Sequence, residues 1–337
     1  MRRLGAIALA VCLLAAATVP ARTQPAPSDA DFSGAAKAAA SLPQLHSLLV
    51  SWRGERVVEY YAKGRSATRL ANVKSVSKSI IAALVGIAIE KGLIKSVREP
   101  IVTWFPELRK AADARKQKIT IEDLLTMRSG LESTSGGNYG AWVSSRNWVR
   151  YVLERPIVAE PGTGMEYSTG TSHLLSAILT RVGKASTWQL AQQWLAKPLG
   201  FPLAQWPRDP QGIYFGGNEM LLTPRQMVAI GELYLKGGAV NGRQVVPRAW
   251  VETSCVPRTA SRWNPDRHYG YGWWTSEVGG RRTCFAWGFG GQYILFFPDL
   301  DLVVAATSST SVSDERFGHR RQLFDLIASE VVRRIDR

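Results

Sequence analysis

Strand-like patterns stand at both ends of this chain with helical ones between them, and that arrangement narrows the folds open to it. Near the start, "LHSLLVSWRGERVVEYYAKG" alternates on either side of Arg53 and Gly54, as a hairpin does. Near the end, "YGYGWWT", "RRTCFAW", "QYILFFP" and "LDLVVAATS" are short and rich in aromatic and β-branched residues, the composition of strands. The chain closes on "QLFDLIASEVVRRI", an amphipathic helix. A further helix is predicted from Ser79 to Lys91, with Gly92 as its C-cap. Strands at both ends imply one sheet assembled from the two termini. The expected fold is therefore α/β (α+β), an antiparallel sheet flanked by helices, with an inserted helical region at roughly 98–250. Its domain is expected over 45–335, after a linker at 22–44. No internal repeat is visible.

The first 21 residues read as a secretory signal peptide: Arg2 and Arg3, then "LGAIALAVCLLAAATV", then small residues around Val19 and Ala21. That apolar run is short for a bilayer span, which needs about 20 residues, and Pro20 and a polar stretch follow at once. Cleavage would leave a soluble protein of about 316 residues in the periplasm or outside the cell, with no stable membrane insertion. Of the three cysteines Cys12 would go with the signal, leaving Cys255 and Cys284. In an oxidising compartment those two can pair, but nothing in the sequence shows that they are close.

The formal charge of +15, about +13 without the signal, raises nucleic acid as a partner. The basic residues are dispersed, however, and export argues against it, so no nucleic-acid partner is expected. The four histidines, His46, His173, His268 and His319, are scattered and no CxxC spacing occurs, so no metal site is expected. Nothing in the sequence sets the oligomeric state.

The chemistry-bearing stretch is "ANVKSVSKSI", where Ser75 precedes Lys78 by three residues at the start of an apolar helix. Residues three apart share a helix face. At a helix N-terminus the free N–H groups and the dipole favour a developing oxyanion and disfavour an ammonium, and burial lowers a lysine further toward a usable base. The competing reading is a capping serine and a solvated lysine. In "MEYSTGTSHLLSAIL", Tyr167 stands on a short extended segment before another helix. A phenol held partly ionised near Lys78 would relay a proton to a leaving group; the alternative is an ordinary core tyrosine. Glu166 beside it should point the other way, and His173 reads as a buried structural histidine.

The "SVSK" helix start, the "YST" segment and the late "AWGFGGQYILFFPDLDLVV", taken in that order, resemble the serine β-lactamase and penicillin-recognising superfamily. The likeness is to the class C-related branch that holds carboxylesterases, D-alanyl-D-alanine peptidases and 6-aminohexanoate-dimer hydrolases. "LLTMRSGLE" and "YGYGWW" also look like pieces of that branch, and the resemblance covers about residues 45 to 335. It implies Ser75 as acylated nucleophile, Lys78 as general base and Tyr167 as proton shuttle. It also implies an oxyanion hole from the Ser75 N–H and a backbone N–H near Phe289. No cofactor is implied.

The chain departs from the pattern in three respects. Ala286, Trp287 and Gly288 stand where lactamases carry a cation before threonine and glycine, which weakens an antibiotic-hydrolase reading. Thr169 replaces the asparagine two residues after the tyrosine. Met127 replaces a histidine. Thr169, Asn218, Trp287 and Gly288 are the candidate substrate-binding residues, although an asparagine in "GGNEM" can equally serve the turn. The expected activity is hydrolysis of a small-molecule ester, amide or peptide through a Ser75 acyl-enzyme, as in esterases or 6-aminohexanoate-dimer hydrolases. A β-lactamase, a D-alanyl-D-alanine peptidase and an inactive sensor domain remain as alternatives. A Ser-His-Asp esterase is disfavoured, since "GTSHL" lacks the second glycine of a nucleophile elbow.

Overall fold

The computed structural model describes residues 30–312 and 315–335. Their centre is an eight-stranded sheet: β1 (Leu45–Trp52), β2 (Glu55–Tyr61), β3 (Thr259–Ala260), β4 (His268–Tyr269), β5 (Trp274–Val278), β6 (Arg281–Gly288), β7 (Gln292–Phe297) and β8 (Leu302–Ser308). The order across the sheet is β2-β1-β8-β7-β6-β5-β4-β3, so β1 and β8 meet in the middle although they lie at opposite ends of the chain. Every pairing is antiparallel. The sheet built from both termini is thus present, with the helical region inserted between β2 and β3.

Local chemistry accounts for the strand ends. Arg53 (φ +53°) and Gly54 (φ +82°) are both left-handed, the conformation a two-residue hairpin turn needs to match the twist of its strands. Strands β7 and β8 are buried along their whole length, because helices cover both sheet faces and leave no polar alternation. On one face lies α4 (Pro224–Leu235), begun by a Thr223–Gln226 capping box and packed across β1, β8 and β7. A Cβ on its Gly231 would stand 2.5 Å from Val303 Cγ1, so glycine permits the close approach. On the other face α5 (Glu315–Leu326) sets Phe324 edge-on to Phe285 and Tyr293.

Three expectations change. Within the span 22–44, Ser33–Ala40 is a helix (α1) rather than linker, with Ala35 and Ala39 buried against the sheet and Phe32 edge-on to Trp52. Apolar residues at 32, 35 and 39 have the helical spacing that a reading of the segment as linker passed over. The signal peptide lies outside the described residues. "YGYGWWT" is not one strand: Gly272 (φ +73°) turns the chain between β4 and β5, and the Gly272 carbonyl accepts from the Ser79 hydroxyl at 2.6 Å. The helix foreseen at Ser79–Lys91 spans Ser77–Glu90 (α2), followed by Gly92 at φ +68°.

The pairing of Cys255 with Cys284 is decided by the fold, which sets their Cα atoms 5.9 Å apart in a disulfide. It ties the chain entering β3 to the middle of β6, closing a loop across 29 residues. Replacing both cysteines by serine should lower unfolding stability by about 3.5 kcal/mol, the loop-entropy scale for that length. Chemical denaturation of wild type and double variant measures it.

Candidate active site

Ser75 sits in a 3₁₀ turn, Lys74–Val76, that leads directly into α2. Twelve of the fourteen α2 residues are buried, Lys78 among them at 3% exposure. Its Nζ lies 2.9 Å from Ser75 Oγ, 2.7 Å from the Gly217 carbonyl and 3.3 Å from Thr169 Oγ1. All three partners are neutral oxygens. Burial without a carboxylate pulls the amine down to about 7 from the usual 10.5. The side chain in a solvated first turn, the competing reading, is therefore not what the fold contains.

Tyr167 arrives from the second segment, its ring centroid 5.0 Å from Lys78 Nζ. Burial pushes its hydroxyl up to about 12, against a smaller opposing pull from a hydrogen bond with Ser75. This corrects the expectation of a partly ionised phenol. The neighbouring lysine, pulled down to about 7, is only half protonated near neutrality and supplies little charge to hold a phenolate, so Tyr167 keeps its proton.

The helix after Tyr167, α3 (Thr169–Gly183), has no side-chain cap of its own from Ser168. Its first N–H groups are met from elsewhere: Thr169 N–H donates to Ser135 Oγ at 3.0 Å and Gly170 N–H to Thr134 Oγ1 at 2.9 Å. Ser133 Oγ donates to the Tyr167 carbonyl at 2.6 Å, and Ser135 Oγ lies 3.0 Å from Thr169 Oγ1. The segment 133–135 thus fixes where Tyr167 and Thr169 stand. Sequence reasoning missed it, because a cap supplied from 34 residues away leaves only a Ser/Thr cluster as its signal.

A cleft of about 520 Å³ opens above these groups, lined by Ser75, Ser135, Tyr167 and Thr169 and walled by Trp263, Trp274 and Trp287. Two further cavities, about 790 and 860 Å³, include neither Ser75 nor Tyr167 among their walls. Phe289 lies at the cleft mouth, 39% exposed, immediately after β6. Gly288 is buried beneath it: a Cβ there would stand 2.2 Å from the Val73 carbonyl and 3.1 Å from Lys74 Cβ. Glycine at 288 therefore brings the end of β6, with its backbone, against the turn that carries Ser75.

Asn218 does not line the cleft. Its Oδ1 accepts from Glu219 N–H and its Nδ2 donates to the hydroxyl of Tyr139, and it is Tyr139 that reaches the wall. Thr169 lines the cleft and also brings its hydroxyl to 3.3 Å from the Lys78 amine. Two cations line the cleft from elements other than the late strand. Arg320, on α5, holds its guanidinium 4.9 Å from the Trp287 ring, and Arg267 also lines the cleft. Position on a remote amphipathic helix gave no sequence signal for this. His173 is buried, its Nδ1 accepting from Gly216 N–H and its Nε2 3.0 Å from Asp209 Oδ2, while Glu166 pairs with Arg262.

The Beta-lactamase family model matches residues 26–328 of the chain. A 6-aminohexanoate-dimer hydrolase of Paenarthrobacter ureafaciens is 25% identical over 299 residues, covering 82% of this chain and 75% of that protein. Among solved structures, EstCE1, described as a hydrolase with promiscuous acyltransferase activity, superposes with a TM-score of 0.72 at 18% identity, over 88% of this chain and 97% of its own. A class C beta lactamase from Rhodobacter sphaeroides gives 0.67 at 18% identity, over 88% and 99%.

Gly288→Ala tests the close approach of β6 to the turn that carries Ser75. The added methyl meets backbone, which cannot rotate away, so the strand end must shift. Hydrolytic turnover should fall about 100-fold, the scale for a displacement near 1 Å, in a protein that remains folded by circular dichroism.

Proposed function

The chain belongs to the Beta-lactamase family, a family of hydrolases, and we propose that it is a serine hydrolase working through a Ser75 acyl-enzyme on an ester or a linear amide. The observation that carries this is the 2.9 Å contact between Ser75 Oγ and a buried amine with no acidic partner. A lysine near 7 is half unprotonated at neutral pH and can accept the serine proton. Ser75 Oγ then forms its bond to the substrate carbonyl carbon, and the negative charge gathers on the carbonyl oxygen. The backbone N–H groups of Ser75 and Phe289 are the donors proposed to meet it.

Tyr167, protonated throughout the neutral range, gives its hydroxyl proton to the leaving oxygen or nitrogen as the bond to the acyl carbon breaks. The Lys78 ammonium restores that proton to the phenol. Water then attacks the acyl carbon, and its proton returns through Lys78 to the departing Ser75 oxygen. No cofactor is needed for these steps. The aromatic wall suits an apolar or extended acyl group.

Likeness to the 6-aminohexanoate-dimer hydrolase and to EstCE1 supports an amidase or esterase. A second reading, as β-lactamase or D-alanyl-D-alanine peptidase, is favoured by Arg267 and Arg320 at the cleft, which place cations where an anionic acyl donor would reach them. Periplasmic or extracellular location, after loss of a signal peptide, is proposed on the leader composition and is supported by the disulfide.

Ser75→Ala should abolish hydrolysis of p-nitrophenyl esters while leaving the melting temperature within a few degrees of wild type. Labelling of wild type by a fluorophosphonate without turnover would instead favour a sensor. In wild type, kcat/KM should fall about tenfold per pH unit below pH 7, as Lys78 gains a proton and ceases to be a base. Parallel assays with nitrocefin, short-chain esters and linear amides separate the substrate classes.

A further inference from the structure

Two residues flanking the acylation centre hold left-handed backbone conformations, and they are bonded to each other. Lys74, directly before Ser75, has φ +51°; Glu219, two residues after Gly217, has φ +68°. For a residue with a side chain this conformation costs on the order of 1 kcal/mol, and glycine would adopt it freely. Lys74 Nζ lies 2.9 Å from Glu219 Oε1. Asn72 joins both, its Nδ2 donating to Glu219 Oε2 and its Oδ1 accepting from Lys74 N–H at 3.0 Å. None of the three lines the cleft.

The two segments are stitched at each neighbouring level as well. Asn72 pairs with Leu221 in a short antiparallel ladder, and Val73 N–H donates to the Met220 carbonyl at 2.9 Å. The Ser77 hydroxyl donates to the Lys74 carbonyl at 2.6 Å and accepts from Met220 N–H at 3.2 Å. One segment carries Ser75. The other carries the Gly217 carbonyl, the shortest of the three bonds to Lys78 Nζ.

We propose that Lys74 and Glu219 are positioning residues for acylation: their ion pair, tied in by Asn72, holds the Gly217 carbonyl on the Lys78 amine while Ser75 stays within its reach. This rests on the acyl-enzyme reading above. A partly exposed ion pair adds little stability by itself, and its effect here is geometric. The groups facing Lys78 are the Ser75 hydroxyl from the turn, Tyr167 and Thr169 from the start of α3 and the Gly217 carbonyl from the loop, with no carboxylate among them. If the loop slips, water replaces that carbonyl and the amine regains its affinity for a proton.

The variants are Lys74→Gly, Glu219→Gln and the charge-conserving Lys74→Arg, assayed for p-nitrophenyl ester kcat and KM between about pH 5 and 9. Glycine relieves the left-handed backbone, so a merely conformational role predicts that Lys74→Gly equals wild type. The proposal expects Lys74→Gly and Glu219→Gln to lose about 100-fold in kcat with KM little changed. It also expects their acid limb to move up by about one pH unit or more as Lys78 is resolvated, while Lys74→Arg stays near wild type. Folded Lys74→Gly and Glu219→Gln proteins with wild-type rates and an unmoved acid limb overturn it. Turnover by Ser75→Ala would sink the acyl-enzyme reading instead, so the two failures are distinguishable.

Discussion

The arrangement depends on an amine kept out of water with nothing negative to pair with. Lys78 is 3% exposed, and its three partners are a hydroxyl, a second hydroxyl and a carbonyl. A carboxylate in any of those places would hold the ammonium and leave it useless as a base. The cost falls on stability: an unfolded lysine keeps its proton to about 10.5 and the folded one releases it near 7. Below pH 7 that difference is fully felt, on the order of 5 kcal/mol, and it fades as pH rises toward 10.5. So unfavourable a group is intelligible if the neutral amine is what the site requires.

Burial of that kind needs a helix apolar on all sides, and α2 is one. It packs against Trp250 through Gly86, against the β4–β5 turn through Gly272 and against α3. The helix can be surrounded only because the inserted region closes over it while the sheet supports it from below. The groups it meets come from separate parts of the chain: Tyr167 and Thr169 from the insertion, Gly217 from a later loop, and Gly288 from the C-terminal strands. Glycine at 272 and 288 serves the same end at each junction, letting backbone approach backbone where any side chain would intervene.

The cleft above has an aromatic wall and two guanidinium groups, those of Arg267 and Arg320. The same scaffold in related proteins is attached to names as different as 6-aminohexanoate-dimer hydrolase and class C beta lactamase. Trp263, Phe289 and Phe317 stand exposed at the mouth of the cleft, above the buried Lys78.

By itself the sequence determined what is local in cause. Apolar alternation on either side of Arg53-Gly54 and the apolar runs at 293–297 and 302–306 set the strands, and a serine three residues before a lysine at the head of an apolar helix set their shared face. Only the tertiary structure decided what depends on contact between distant segments. The pairing of Cys255 with Cys284, the caps lent to α3 by Thr134 and Ser135, the removal of Asn218 from the cleft and the arrival of Arg320 beside Trp287 are of this kind. So is the state of Tyr167, because a phenol's proton affinity is set by the charge and water around it, and neither is written in the residues next to it in the chain.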